Sequence, residues 1–168
     1  MRKFRLILLI LIGLTAQNCG IYSFTGTNLH PDVQTVQIDY FPNNANLVEP
    51  SLSQTFTTQF MDLFARQTNL TLVNAGGDLQ FEGEITGYKI NPMTATAQQT
   101  AAQNRLTITI NVRFYNNIVE EDNFEQSFSH YYDFGANAQL TGSLMDDAFN
   151  EIIERISQDI FNASVAKW

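Results

Sequence analysis

The 168-residue sequence predicts an α+β fold, with two helices packed on one face of a four-stranded, mainly antiparallel or mixed sheet. Three features carry this expectation. Residues 79–90 and 106–114 alternate apolar and polar side chains, the period of strands that bury one face. Two other stretches carry apolar stripes at helical spacing: Leu52, Phe56, Phe60, Leu63 and Phe64 early in the chain, and Ala148, Ile152, Ile156, Ile160 and Ala163 late in it. The helices flank a run of strands instead of alternating with them one for one, which is the order of an α+β domain.

The chain opens on a short basic stretch, Arg2, Lys3 and Arg5, followed by the apolar run 6–14 (LILLILIGL). Such a run is far shorter than the ~20 residues that span a bilayer as a helix, and it reads as the hydrophobic part of a cleavable signal. Cys19 is the only cysteine of the chain, so no intramolecular disulfide can form and no cysteine-based zinc cluster can be built. Its place just after the apolar run, with small Ala16 before it, is that of a lipoprotein cysteine, whose thiol takes a diacylglycerol before the chain is cut ahead of it. The expected division is a signal peptide over 1–18, a lipidated N-terminus and turn-rich linker over 19–34, and one domain over 35–168. Gly20 stands where an aspartate would retain a lipoprotein in the inner membrane, which favours the outer membrane.

Within the domain, residues 35–41 (TVQIDYF) alternate, with Val36, Ile38 and Tyr40 sharing a face. Ser51 and Gln54 have the spacing of a capping box at the start of the first helix, which should end near 67–69. A short strand follows over 70–73, then the glycine-containing turn 74–78. In the long strand 79–90, Leu79, Phe81, Gly83, Ile85 and Gly87 face one way, and Gln80, Glu82, Glu84, Thr86 and Tyr88 the other. Glu82 and Glu84 therefore read as a solvated sheet face, not as a catalytic pair.

The stretch 91–104 (NPMTATAQQTAAQN) carries no charge and reads as a long hairpin connection or an extension of its strands. The strand 106–119 points Leu106, Ile108, Ile110, Val112 and Phe114 inward, and 124–134 forms the last strand, marked by Phe124 and Phe128. Of the adjacent Tyr131 and Tyr132, one must lie on the outer side. Ser143 is placed to cap the C-terminal helix.

Chemistry leaves few traces. His30 and His130 belong to no metal-binding spacing, no nucleophile elbow is present, and no cofactor is called for, so the chain does not read as an enzyme. Charge excludes another class. The formal net charge is −8, and without the three leader cations six basic residues stand against 17 acidic ones, a net of −11. No basic stripe exists for nucleic acid.

Four stretches resemble the LptE family, the lipoprotein component of lipopolysaccharide assembly: 19–24 (CGIYSF), 52–56 (LSQTF), 78–88 (DLQFEGEITGY) and 101–107 (AAQNRLT). The resemblance implies a two-helix, four-strand domain that plugs the β-barrel protein LptD, helps it fold, and supports passage of lipopolysaccharide to the outer leaflet. It also implies lipopolysaccharide as a further ligand, through basic residues; here Arg105 and Arg113 are the only ones in the 105–119 strand. The barrel-plug role therefore ranks above direct ligand binding. The polar sheet face and the 91–104 loop are the expected barrel contacts, represented by Thr96, Gln99 and Gln103, because an uncharged Thr/Gln-rich surface suits a wet lumen. The alternative is a lipid-anchored periplasmic binding module for another envelope partner.

Overall fold

The computed structural model describes residues 29–47, 49–93 and 102–166. Strand β1 (Thr35–Ile38) leads into helix α1 (Pro50–Gln67), and strands β2 (Thr71–Val73), β3 (Leu79–Met93), β4 (Gln103–Asn116) and β5 (Phe124–Gly135) follow before helix α2 (Ser143–Ser164). The strands form one sheet in the order β2-β1-β3-β4-β5. β1 runs parallel to both neighbours, while β3, β4 and β5 are antiparallel.

The sheet thus has five strands, not four. The fifth is β2, three residues that join the free edge of β1, with Thr35 opposite Thr71 and Gln37 opposite Val73. Parallel pairing needs a crossover, and α1 supplies it. The chain then passes from β2 to β3 across the face of β1 turned away from the helices. Gly77 makes this crossing possible, because a side chain there would collide with the backbone and Cβ of Gln37. Gln37 is consequently buried although it points away from the core.

The helices cover the opposite face. α1 buries Leu52, Phe56, Phe60, Leu63 and Phe64, and α2 buries Ala148, Phe149, Ile152, Ile153, Ile156, Ile160 and Phe161. They meet Leu79, Phe81 and Ile85 of β3 and all five inward residues expected in β4, Leu106, Ile108, Ile110, Val112 and Phe114, each wholly shielded from solvent. Phe41, Phe56, Phe60, Phe64 and Phe81 form the centre of this core, with ring centroids 5.0–6.2 Å apart, mostly edge to face.

Several local expectations are corrected. β1 stops at Ile38, so Tyr40 is 56% exposed while Phe41 turns into the core. The capping box does not form. α1 starts at Pro50, whose fixed φ suits the first helical position and whose missing donor costs nothing there. Ser51 Oγ donates instead to Glu49, and Gln54 Nε2 to Thr58 Oγ1. In α2, Gly142 occupies the cap position and Ser143 is already helical.

The register of β3 breaks between Ile85 and Gly87, which leaves Thr86 as the extra residue of a β-bulge. Beyond it the faces reverse: Gly87 lies opposite Thr109 on the open side, and Tyr88 lies opposite Ile108 and packs edge-on against Phe149 of α2. The alternation read from sequence is right up to Ile85 and inverted after it. Strand β4 begins earlier and ends earlier than expected, at Gln103 and Asn116; a short 3-10 turn, Glu120–Asp122, connects it to β5. Of the stretch 91–104, residues 91–93 and 103–104 extend β3 and β4, as one of the two readings held.

Candidate functional site

With both helices on one side, the other side of β3, β4 and β5 is left open, and residue parity decides what it carries. In β4 the outward positions are Gln103, Arg105, Thr107, Thr109, Asn111 and Arg113. In β5 they are Glu125, Ser127, Ser129, Tyr131 and Asp133, each directly opposite one of them. β3 adds Gln80, Glu82 and Glu84, then Lys89 after the bulge.

These side chains satisfy one another in a ladder across the strands. The Arg105 guanidinium holds Asp133 with two parallel bonds, Nε to Oδ1 at 2.7 Å and Nη2 to Oδ2 at 2.8 Å. The same group lies over the Tyr131 ring, 3.6 Å from its centroid. Hydrogen bonding by Arg105 holds the Asp133 carboxyl below its ordinary range, against a smaller opposing effect of burial. Next along the sheet, Thr109 and Ser129 hydroxyls meet at 3.0 Å, and Asn111 Nδ2 donates to Glu125 Oε1 at 2.8 Å. Arg113 then sits between Glu84, at 3.3 Å, and Glu82, at 3.7 Å. Burial opposes the charge of Arg113, but Glu84 foremost, with Glu125 and Glu82, more than offsets it and raises its pKa.

The face is therefore polar, hydrogen-bonded and locally compensated in charge. Among the described residues Lys89 is the cation here that no carboxylate meets. Such a surface can adhere to a polar, wet partner without stripping water from bare charges, a costly step where charges are unpaired. Among the described residues no group of three or more histidines, cysteines or carboxylates gathers in a way that holds a metal ion. Nor is any helix long and apolar enough to cross a membrane.

One concavity lies elsewhere, a groove of about 430 Å³ between α1 and α2 on the far side of the molecule. It is bridged at both ends, by Gln59 and Asn150 at 2.7 Å and by Gln67 and Gln158 at 3.2 Å. Its lining is polar, unlike the largely apolar pockets that take small molecules.

Gln103 is the first residue of β4, half-buried, between Met93 and Gly135. Cys19, Thr96 and Gln99 lie outside the described residues. His130 is not a ligand but a strap: it faces the helix layer, and Nε2 meets Asp159 of α2 at 2.7 Å. The Arg105, Tyr131 and Asp133 cluster was absent from the sequence reading. The alternation of β4 places Arg105 on the open face, but its partners depend on the β4–β5 register, which no local pattern reveals.

Residues 33–164 match the family described as LptE, lipopolysaccharide-assembly. No curated protein matches the sequence. Among solved structures, the chain is similar to a minor lipoprotein from Acinetobacter baumannii, at 9% identity and a TM-score of 0.46, over 75% of this chain and 96% of that one. It is also similar to the PelC dodecamer protein from Paraburkholderia phytofirmans, at 4% identity and a TM-score of 0.48, over 83% and 95%. A third is rare lipoprotein B from Shewanella oneidensis, at 9% identity and a TM-score of 0.42, over 76% and 89%. Likenesses this loose carry no functional argument.

Proposed function

Since the chain belongs to the LptE family of lipopolysaccharide-assembly proteins, we propose that it is an outer-membrane lipoprotein, anchored through Cys19, that plugs an LptD-like β-barrel and assists its assembly. The barrel would then pass lipopolysaccharide to the outer leaflet. The observation that supports the plug role is the open sheet face, which neither helix covers and whose arginines, though not Lys89, are met by carboxylates within the chain. A barrel lumen is polar and water-filled, and a surface of hydroxyls, amides and paired ions suits it better than a greasy one. Two acyl chains on Cys19 supply stable anchoring, at ~0.8 kcal/mol per buried methylene.

Direct contact with lipopolysaccharide is the lesser part of the reading. Arg105 and Arg113 are already engaged with carboxylates, which leaves little free positive charge on this face for phosphate.

Photocrosslinkers at Thr107, Thr96, Gln99 and Gln103 in the native envelope test the reading. Capture of a barrel-sized outer-membrane protein supports it. Capture of some other envelope protein, or equal lipid labelling of the native chain and Cys19→Ala, overturns it.

A further inference from the structure

The two edges of the sheet are built differently. β2 is only three residues long, one of the ways proteins keep an edge from recruiting a foreign strand. β5 is 12 residues long and pairs with β4 without a register break. It contains no proline, lysine or arginine, the residues that usually blunt an edge. The run 126–132 (QSFSHYY) has no carboxylate, no glycine and three aromatic rings, the composition of a segment prone to strand pairing. The acidic residues that bound it, Glu125 and Asp133, are already bonded to Asn111 and Arg105. Among the described residues, no backbone group of Phe124 to Phe134 has a partner beyond β4.

A row of donors and acceptors that no described residue answers, on so long an edge with no lysine, arginine or proline in it, calls for a cover. We propose that β5 receives an extended segment of the barrel partner as a sixth strand, bound through its backbone. This rests on the barrel reading above and adds the mode of contact to it.

The chemistry of the occupant follows from the two sides of β5. Phe128 and Tyr132 face the helix layer, and Ser127 and Ser129 face the open side, so the incoming strand alternates apolar and small polar residues. The donor is a loop or terminal segment, because wall strands of a closed barrel already have both edges paired. A second copy of this chain is a poorer occupant, since the formal charge of −8 makes two copies repel.

The test places photocrosslinkers singly at Gln126, Ser127 and Ser129 of the full chain in its native envelope, and maps the captured peptides. Gln126 lies opposite Val112 on the helix side and Ser127 opposite Asn111 on the open side, so a strand beside the edge reaches both. The expected result is capture of one short stretch of the barrel protein, with the captured position moving steadily along it as the probe moves along β5. Gln126→Lys, an exposed position on the helix side of the edge and off the open face, should lower co-purified barrel by roughly tenfold without shifting the melting temperature. Capture from Ser127 and Ser129 but not Gln126 overturns the proposal in favour of contact through the face. Capture of a second copy overturns it as well. Silence at all three while Thr107 still captures the barrel defeats the strand and leaves the barrel reading standing; silence at Thr107 too defeats both.

Discussion

The ring of Phe41 occupies the space where a side chain on Gly83 would stand. Gly83 lies on the helix side of β3, opposite Val112, and the ring that fills its place reaches on to Phe56, with centroids 5.0 Å apart. A methyl group at position 83 must both lift β3 from the Asn111 carbonyl and push Phe41 out of a fully buried aromatic cluster. Overpacking of this kind costs about 1–3 kcal/mol. Gly83→Ala should therefore lower the unfolding free energy read from a urea titration by that amount. Gly135→Ala, where nothing lies within 4 Å, should leave it nearly unchanged.

The bulge at Thr86 produces a less intuitive expectation. One-residue deletions in strands normally exchange the two faces of everything downstream. Here the deletion of Thr86 restores regular pairing from Ile85 opposite Ile110 to Gly87 opposite Thr109, and keeps Tyr88 inward. Burial, and secondarily the charge of Glu49, raises the Tyr88 pKa above its ordinary 10.0. In the folded state the phenol thus holds its proton more tightly than in the unfolded chain. The associated stability is complete below pH 10.0 and is lost as pH rises through the folded-state value. An ultraviolet titration should show the late ionisation of Tyr88 in both the native chain and the Thr86 deletion, and Tyr88→Phe should remove that phase. Loss of the late phase in the deletion would mean that the bulge sets the inward orientation of Tyr88.

Asp78 ties the start of β1 to the start of β3. One oxygen, Oδ2, accepts from Gln34 N and Thr35 N at 2.9 Å and from Thr35 Oγ1 at 2.8 Å, while Asp78 N donates back to Thr35 Oγ1 at 2.9 Å. The Gln34 bond foremost, then those of Thr35, lowers the carboxyl pKa below its ordinary 3.8. A depressed folded-state value contributes stability above pH 3.8 and forfeits it as pH falls through the lower folded value. Charge-assisted bonds of this kind contribute about 1.5–3 kcal/mol when shielded. Solvent around Asp78 reduces that to about 1 kcal/mol. Asp78→Asn should cost this amount at neutral pH, and the deficit should shrink as pH falls below 3.8. A deficit equally large in acid would assign it to side-chain geometry and not to charge.

The sequence made the two layers legible because their period is local. The inward residues of β4 and the stripes of both helices follow directly from spacing, and all but the partly exposed Ala163 are buried as expected. What escaped was set by events with no local period. The bulge inverts half of β3 through one inserted residue, and β2 enters the sheet only because α1 carries it back beside β1. The same holds for the candidate site: the open face could be read from alternation, whereas the Arg105–Asp133–Tyr131 cluster depends on which β5 residue falls opposite which β4 residue.

That cluster supplies a test of how far the open face neutralises itself. Arg105 and Asp133 stand directly opposite each other, and Tyr131, one position along the same side, forms the floor on which the guanidinium lies. The two parallel bonds need a planar fork, which lysine lacks, so charge alone does not reproduce them. Arg105→Lys and Arg105→Ala should both move the Asp133 carboxyl titration upward, followed by the carboxyl carbon shift in NMR spectra. Lysine should recover only the part owed to charge. A pair held in this way draws little on long-range attraction, so barrel recovered through a Thr107 crosslink should vary little between low and high salt. A steep fall with salt would show instead that unpaired charge, Lys89 foremost, holds the partner.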